Sequence, residues 1–193
     1  KDTFPDFYEM MPDVAETWND YPLSSLAIIR CYPWSYGKTV LMGDAAHATV
    51  PFYGQGMNSG FEDCSVMWEL MKKHNEDWPK IFKAFQIIRK PDGNGVQDLS
   101  LHNYYVMRDH VADPDFLLQK KFELKIQELY PDKYLPLYSM VTFSHIRYSE
   151  AHKLGIDQEK KIKAIMSKNN IREMFEQNTI NGFIDDLVKN DTL

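Results

Sequence analysis

The chain has 193 residues and a formal net charge of -6, with 44% hydrophobic and 13% aromatic side chains. That length suits one or two domains, and so much apolar and aromatic material excludes a disordered chain. The acidic balance argues against a nucleic-acid partner, which calls for a basic face.

Two cysteines, Cys31 and Cys64, form no CxxC motif and no disulfide framework, which points to a reducing compartment. No apolar run approaches the ~18 residues of a membrane-crossing helix, and the start lacks a signal-peptide pattern. A soluble, cytoplasmic protein without a membrane anchor is expected. The chain opens at Lys1 rather than Met, as a fragment of a longer protein would.

In chain order, residues 5–18 predict a short helical segment, with Phe7, Met10, Met11, Val14 and Trp18 at helix-like spacing and Pro12 breaking it in two. Leu26–Tyr32 predicts a strand, and residues 33–37 a turn. The apolar run Thr39–Met42 predicts a short buried strand of the kind found in parallel sheets. Residues 57–73 predict a helix, with Lys72 and Lys73 favouring its C-terminal end. Another helix is expected over Trp78–Arg89, and Pro91-Asp92-Gly93-Asn94-Gly95 is the clearest break in the chain. Beyond it the periodicity is helical over 101–111, 116–130, 144–153, 158–168 and 171–177. Residues 178–193 read as polar and fraying.

Gly37-Lys38-Thr39 imitates the end of a phosphate-binding P-loop, but Tyr32 stands where that motif needs Gly, and the triplet precedes a strand instead of following one. More informative is Gly43-Asp44-Ala45-Ala46-His47. An Asp just past the end of a parallel strand lies where open α/β sheets bind ligands, and can accept hydrogen bonds from the hydroxyls of a ribose or ribityl chain. It can equally cap a turn. The five residues alone leave both readings open. The following Pro51-Phe52-Tyr53-Gly54-Gln55-Gly56 places two glycines around a polar residue immediately before a helix. A helix start carries unpaired N–H groups and roughly half a positive charge, which favour an anion or a polarised carbonyl such as the N1–C2=O edge of a flavin.

GDAAH followed by PFYGQGMN closely resembles the second flavin-binding motif of the FAD-dependent aromatic hydroxylases. The segments PLSSLAIIRCYPW, LHNYYVMRDHV and PLYSMVTFSHIRYSEA are similar to the members of that family that act on L-kynurenine, so the likeness covers residues 21–152. It implies an α/β fold class: the C-terminal part of the hydroxylase fold, with strands near the N-terminus followed by a mainly helical C-terminal region. Residues 1–37 would end the substrate-binding domain, 38–90 form the second flavin-contacting segment, and 91–193 the helical C-terminal region. The implied cofactors are FAD and, as co-substrate, NADPH; the implied reaction is hydroxylation of L-kynurenine by O2 through a flavin C4a-hydroperoxide.

Carried onto this sequence, the resemblance gives Asp44 the ribityl chain. Pro51, Gly54, Gln55, Gly56, Met57 and Asn58 line the flavin, and Pro51, Phe52 and Gln55 border the reacting edge. Phe52, Tyr53, Asn103, Met107 and Tyr148 face the substrate. Val106 stands where the family pattern implies Glu, which leaves another aromatic acid open as substrate. Asn103 could instead cap a helix, and Tyr148 could be core with a satisfied hydroxyl. His47 reads as structural, and no histidine spacing suggests a metal. The family's GxGxxG unit has no match here, so the missing N-terminal part of the same protein is an expected partner and the fragment alone is expected to be inactive. A non-catalytic helical interaction domain is the remaining alternative.

Overall fold

The computed structural model describes residues 2–190 and 192. Two short helices, α1 (Pro5–Met10) and α2 (Val14–Thr17), open the chain, separated by the expected break at Pro12. A two-residue hairpin follows, β1 (Ser35–Tyr36) and β2 (Thr39–Val40). Then come α3 (Asp44–His47), α4 (Gly56–His74), α5 (Trp78–Asp109), α6 (Pro114–Leu129), α7 (Leu137–Phe143), α8 (Tyr148–Lys168), α9 (Ile171–Glu176) and α10 (Ile180–Lys189). The architecture is two small strands near the N-terminus followed by a mainly helical remainder. Among the described residues no helix is long and apolar enough to cross a membrane.

Four expectations about elements are corrected. The run at 39–42 is no parallel strand: Thr39–Val40 pairs antiparallel with Ser35–Tyr36, Ser35 opposite Val40, around a turn in which Gly37 takes φ +55°. Leu26–Tyr32 forms no strand. The buried Gln97 side chain donates to the carbonyls of both Ile29 (2.6 Å) and Ala48 (2.9 Å), taking the place of a sheet neighbour. The break expected at 91–95 lies inside the continuous helix α5, which also absorbs the helix expected over 101–111. In isolation Pro and two glycines would cost such a helix several kcal/mol, about 3 for Pro and 1 for each Gly. Tertiary packing overrides that: Asp92, Gly93 and Gly95 are buried, Gly93 against Trp34 and His47, and Asp92 and Gly95 against Ser149 at the start of α8. Finally, residues 180–189 are ordered as α10, with Ile180 and Ile184 buried in the core. Its apolar residues recur at 180, 183, 184, 187 and 188, a helical stripe hidden by the polar average of the tail. Asp191 and Leu193, also expected to fray, lie outside the described residues.

The apolar core has three parts. Trp34, Ala46, Met67, Leu70, Ile81 and Phe85 join the hairpin to α4 and α5. Tyr53, Val96, Leu99, Met140, Val141, Tyr148 and Ala151 seat the loop before α4 against α5, α7 and α8. Phe122, Ile126, Ile162, Ile165, Ile171, Ile180 and Ile184 close the C-terminal helices. The first two parts flank the segment 43–60, and so fix its position.

Candidate functional site

Gly43 has φ +54° and ψ -138°, a region open essentially to glycine alone, and it turns the chain from β2 into the single turn α3. Its N–H donates to Asp63 Oδ2 (2.8 Å), and a Cβ added at Gly43 would lie 4.0 Å from the Gly60 Cα, in ordinary contact. The turn leaves Asp44 exposed, with no hydrogen bond or ion pair for its carboxylate among the described residues. After Val50 a short 3-10 turn at Pro51–Tyr53 ends in Gly54 at φ +67°, the left-handed region. Gly54→Ala is expected to cost roughly 1–2 kcal/mol, because a Cβ there meets no neighbour and only the backbone strain remains; urea unfolding of the variant measures it.

Helix α4 starts at Gly56 without a side-chain cap. The first N–H to reach an acceptor inside it is that of Ser59, onto Gln55 O (2.9 Å). The N–H groups of Gly56, Met57 and Asn58 therefore have no acceptor among the described residues. A cleft of about 460 Å³ opens at this point. Of the expected cofactor residues, Asp44, Pro51, Gly54, Gly56 and Met57 line it. Gly43, Thr49 and Gly60 complete the wall; Thr49 and Gly60 were not singled out from the sequence. Thr49 Oγ1 is buried and unpartnered. A free carboxylate, an orphaned hydroxyl, unpaired N–H groups and four glycines facing one cleft suit a polyhydroxylated ligand with an electron-rich edge. They fit the ribityl and ring edge of a flavin.

The other expected residues form two groups beside the cleft. Gln55 is buried and turned inward: its Oε1 accepts from Asn58 Nδ2 (2.9 Å) and from the Tyr148 hydroxyl (3.2 Å), and its Nε2 donates to Tyr53 O (3.4 Å). Gln55 and Asn58 thus form a polar seam behind the cleft and do not line it. Burial, with Glu62 nearby, pushes the Tyr148 hydroxyl up to about 12; burial and Tyr138 do the same to Tyr53, so both stay neutral donors at pH 7. In the second group Asn103 Nδ2 donates to Phe52 O (2.7 Å) and approaches Met107 Sδ (3.8 Å), while the Phe52 ring leans on Tyr104 at 4.7 Å. Val106 lines a separate cavity with His102, Tyr105 and His110, which shares no wall residue with the cleft.

Beneath the cleft lies an ionic network that sequence reading missed. Asp63 is fully buried and accepts from His47 Nε2 (2.7 Å), the Gly43 N–H and Arg89 Nε (2.7 Å). Arg89, 1% exposed, also reaches Glu62 (2.7 Å), Asp92 (3.2 Å) and Ser59 O (3.2 Å). Because Asp63 accepts from it, His47 carries its proton on Nε2, in keeping with the structural role expected of it. Burial would raise the Asp63 carboxyl, but the hydrogen bonds from His47, Gly43 and Arg89 outweigh it and hold the group below the usual carboxylate range. The available signal was a charge where the apolar stripes of α4 and α5 demand core: Asp63 beside Met67, and Arg89 beside Phe85.

A family model described as FAD binding domain matches residues 23–100, the stretch that contains the cleft. A kynurenine 3-monooxygenase of Flavobacterium johnsoniae is 42% identical over 96% of this chain, which covers 42% of that protein. The chain resembles the kynurenine 3-monooxygenases. Proteins of that name from Christiangramia forsetii (43% identity, 96% of this chain, 42% of the relative) and Dictyostelium discoideum (36%, 88% and 40%) match as well. The chain spans about two fifths of the length of these curated relatives. At 96% of this chain, the likeness to the two bacterial proteins extends past the flavin motif through α5 and into α10, so it takes in the polar seam and Asn103 as well as the cleft.

Proposed function

We propose that this chain is the C-terminal portion of an FAD-dependent, NADPH-using monooxygenase that hydroxylates L-kynurenine to 3-hydroxykynurenine. Its folding pattern is then that of the aromatic hydroxylases, with residues 1–37 ending the substrate domain, 38–90 facing the flavin and 91–193 forming the helical C-terminal region. The observation that carries this reading is the convergence of Asp44, the free N–H groups of Gly56 and Met57, and the glycine walls on one cleft. The resemblance to kynurenine 3-monooxygenases supplies the substrate.

FAD, when bound, supplies the oxygen chemistry. This chain's residues bind and orient. Asp44 accepts hydrogen bonds from the ribityl hydroxyls. The start of α4 offers N–H donors and the positive end of its dipole to the ring's electron-rich edge. Pro51, Gly54 and Gln55 shape the loop along the ring. Phe52, Tyr53, Asn103, Met107 and Tyr148 form the substrate side, where Asn103 keeps a second amide hydrogen to donate, the Tyr148 oxygen, its proton given to Gln55, accepts, and the rings exclude water. The N-terminal part of the same protein completes the site.

In the full-length parent, Asp44→Ala is expected to weaken FAD binding about 10- to 100-fold, the worth of a hydrogen bond to a charged group. Flavin fluorescence titration measures it. Unchanged FAD affinity would favour a non-catalytic helical domain. The reaction itself is read from NADPH oxidation with and without L-kynurenine, with the product identified by mass spectrometry. Oxidation that is not stimulated, or that yields only hydrogen peroxide, removes L-kynurenine as the substrate.

A further inference from the structure

Tyr148 is held from both sides by one buried carboxylate. Asp92 Oδ2 accepts from Arg147 Nε (2.9 Å) and Nη2 (2.8 Å), and Oδ1 accepts from Ser149 Oγ (2.6 Å) and the Ser149 N–H (3.2 Å). Arg147 also donates to Ile88 O (2.6 Å), so its guanidinium grips α5 at two points. The Tyr148 hydroxyl then reaches Gln55, which holds Asn58 on the first turn of α4. Through the main chain of residues 147–149, these hydrogen bonds link Asp92 on α5 to the polar seam of Gln55 and Asn58.

We propose that Arg147 is a positioning residue: it fixes the start of α8 on Asp92 so that the Tyr148 hydroxyl meets Gln55 and the substrate side of the site. The proposal rests on the reading of Tyr148 as a substrate-side residue. The Tyr148 ring is buried in the core, but as the first residue of α8 its place over Gln55 depends on where the helix start is anchored on α5. The bidentate, planar fork of Arg supplies that anchor, which Lys cannot reproduce. Arg147 is half exposed, and its removal leaves Asp92 with Arg89 and Ser149, so the fold tolerates the change better than loss of Asp92.

The test is a double-mutant cycle in the full-length FAD-loaded parent, with Arg147→Ala and Tyr148→Phe. Arg147→Ala is expected to raise KM for L-kynurenine about tenfold with FAD affinity unchanged, and Arg147→Lys to give an intermediate rise. In the Tyr148→Phe background the same change is expected to add less than about twofold. An equal effect in both backgrounds, or a parallel loss of FAD, overturns the proposal. A second readout needs no turnover: 3-fluorotyrosine at position 148 of the flavin-free parent, followed by fluorine NMR. Arg147→Ala is expected to move or broaden the resonance, and an unchanged line overturns the proposal. A moved line in a parent that L-kynurenine does not stimulate would sink the substrate reading and leave the positioning role standing.

Discussion

Arg89→Leu is expected to lower folding stability by about 3–5 kcal/mol at pH 7, the usual cost of removing one partner from a buried ion pair. Arg89 is 1% exposed and is the cation that Asp63 and Asp92 share. Leu fills much of its volume but leaves two buried carboxylates short of a donor. Asp63 keeps His47 and the Gly43 N–H, and Asp92 keeps Arg147 and Ser149, so the network is weakened at its centre without being emptied. The pH dependence separates this cause from simple misfit. In the parent, Asp63 titrates below its unfolded value, so its stabilising contribution is present above the ordinary carboxylate range of about 4 and is lost as pH falls through the depressed folded value. Without Arg89 the Asp63 carboxyl loses one of the hydrogen bonds that hold it down, so in the variant it shifts upward from its parent value. The variant's penalty should then hold from pH 7 down to about 4 and shrink below it, as pH falls towards the parent's depressed value and the parent loses the contribution of Asp63. Urea unfolding at several pH values measures both arms. A penalty independent of pH would assign the loss to packing.

Gly95→Ala is the second large effect, and here the sign is the test. By helix propensity the change should stabilise α5 by about 1 kcal/mol. A Cβ at Gly95, however, would lie 2.7 Å from Ser149 N and 2.8 Å from Tyr148 C. These are backbone atoms of α8 and cannot rotate away. The two helices must part, which loosens the Ser149 and Arg147 bonds to Asp92 and carries Tyr148 away from Gln55. Overpacking of this kind costs roughly 1–3 kcal/mol or more and outweighs the propensity gain. A net loss of about 2 kcal/mol in urea unfolding is expected, with weaker L-kynurenine binding in the full-length parent. A stabilised variant would mean that α8 sits further from α5 than the structure shows. Gly93→Ala is milder by comparison, since its Cβ would meet the Trp34 and His47 side chains at 3.0–3.2 Å, and side chains can shift by that amount.

The candidate cleft was legible because its parts are local. Asp44, Pro51, Gly54, Gly56 and Met57 lie within 14 residues, and backbone rules place them: a glycine turn, a left-handed glycine, an uncapped helix start. The broken helix at Pro12 and the long helix from residue 56 were legible for the same reason. What failed was every inference that needed a neighbour. Pro91, Gly93 and Gly95 signal a break to any local rule, yet they form the middle of α5, because small residues there let Trp34, His47 and the start of α8 come close. Leu26–Tyr32 has a strand's composition but finds Gln97 where a strand would find a ladder. Gln55, placed by motif along the cofactor, turns inward because Tyr148, 93 residues away, offers it a hydroxyl.

The sequence by itself therefore determined most of what lines the cleft: Asp44, three of its four glycines and the start of α4. These depend on dihedral preferences and on N–H groups left unpaired within a few residues. Only the tertiary structure decided how that cleft is held. Arg89 and Asp92 stand three residues apart on α5, but no spacing joins them to Asp63 on α4 or to Arg147 before α8. Burial makes the pairing obligatory, since a charge withdrawn from water must find its partner wherever the fold brings one.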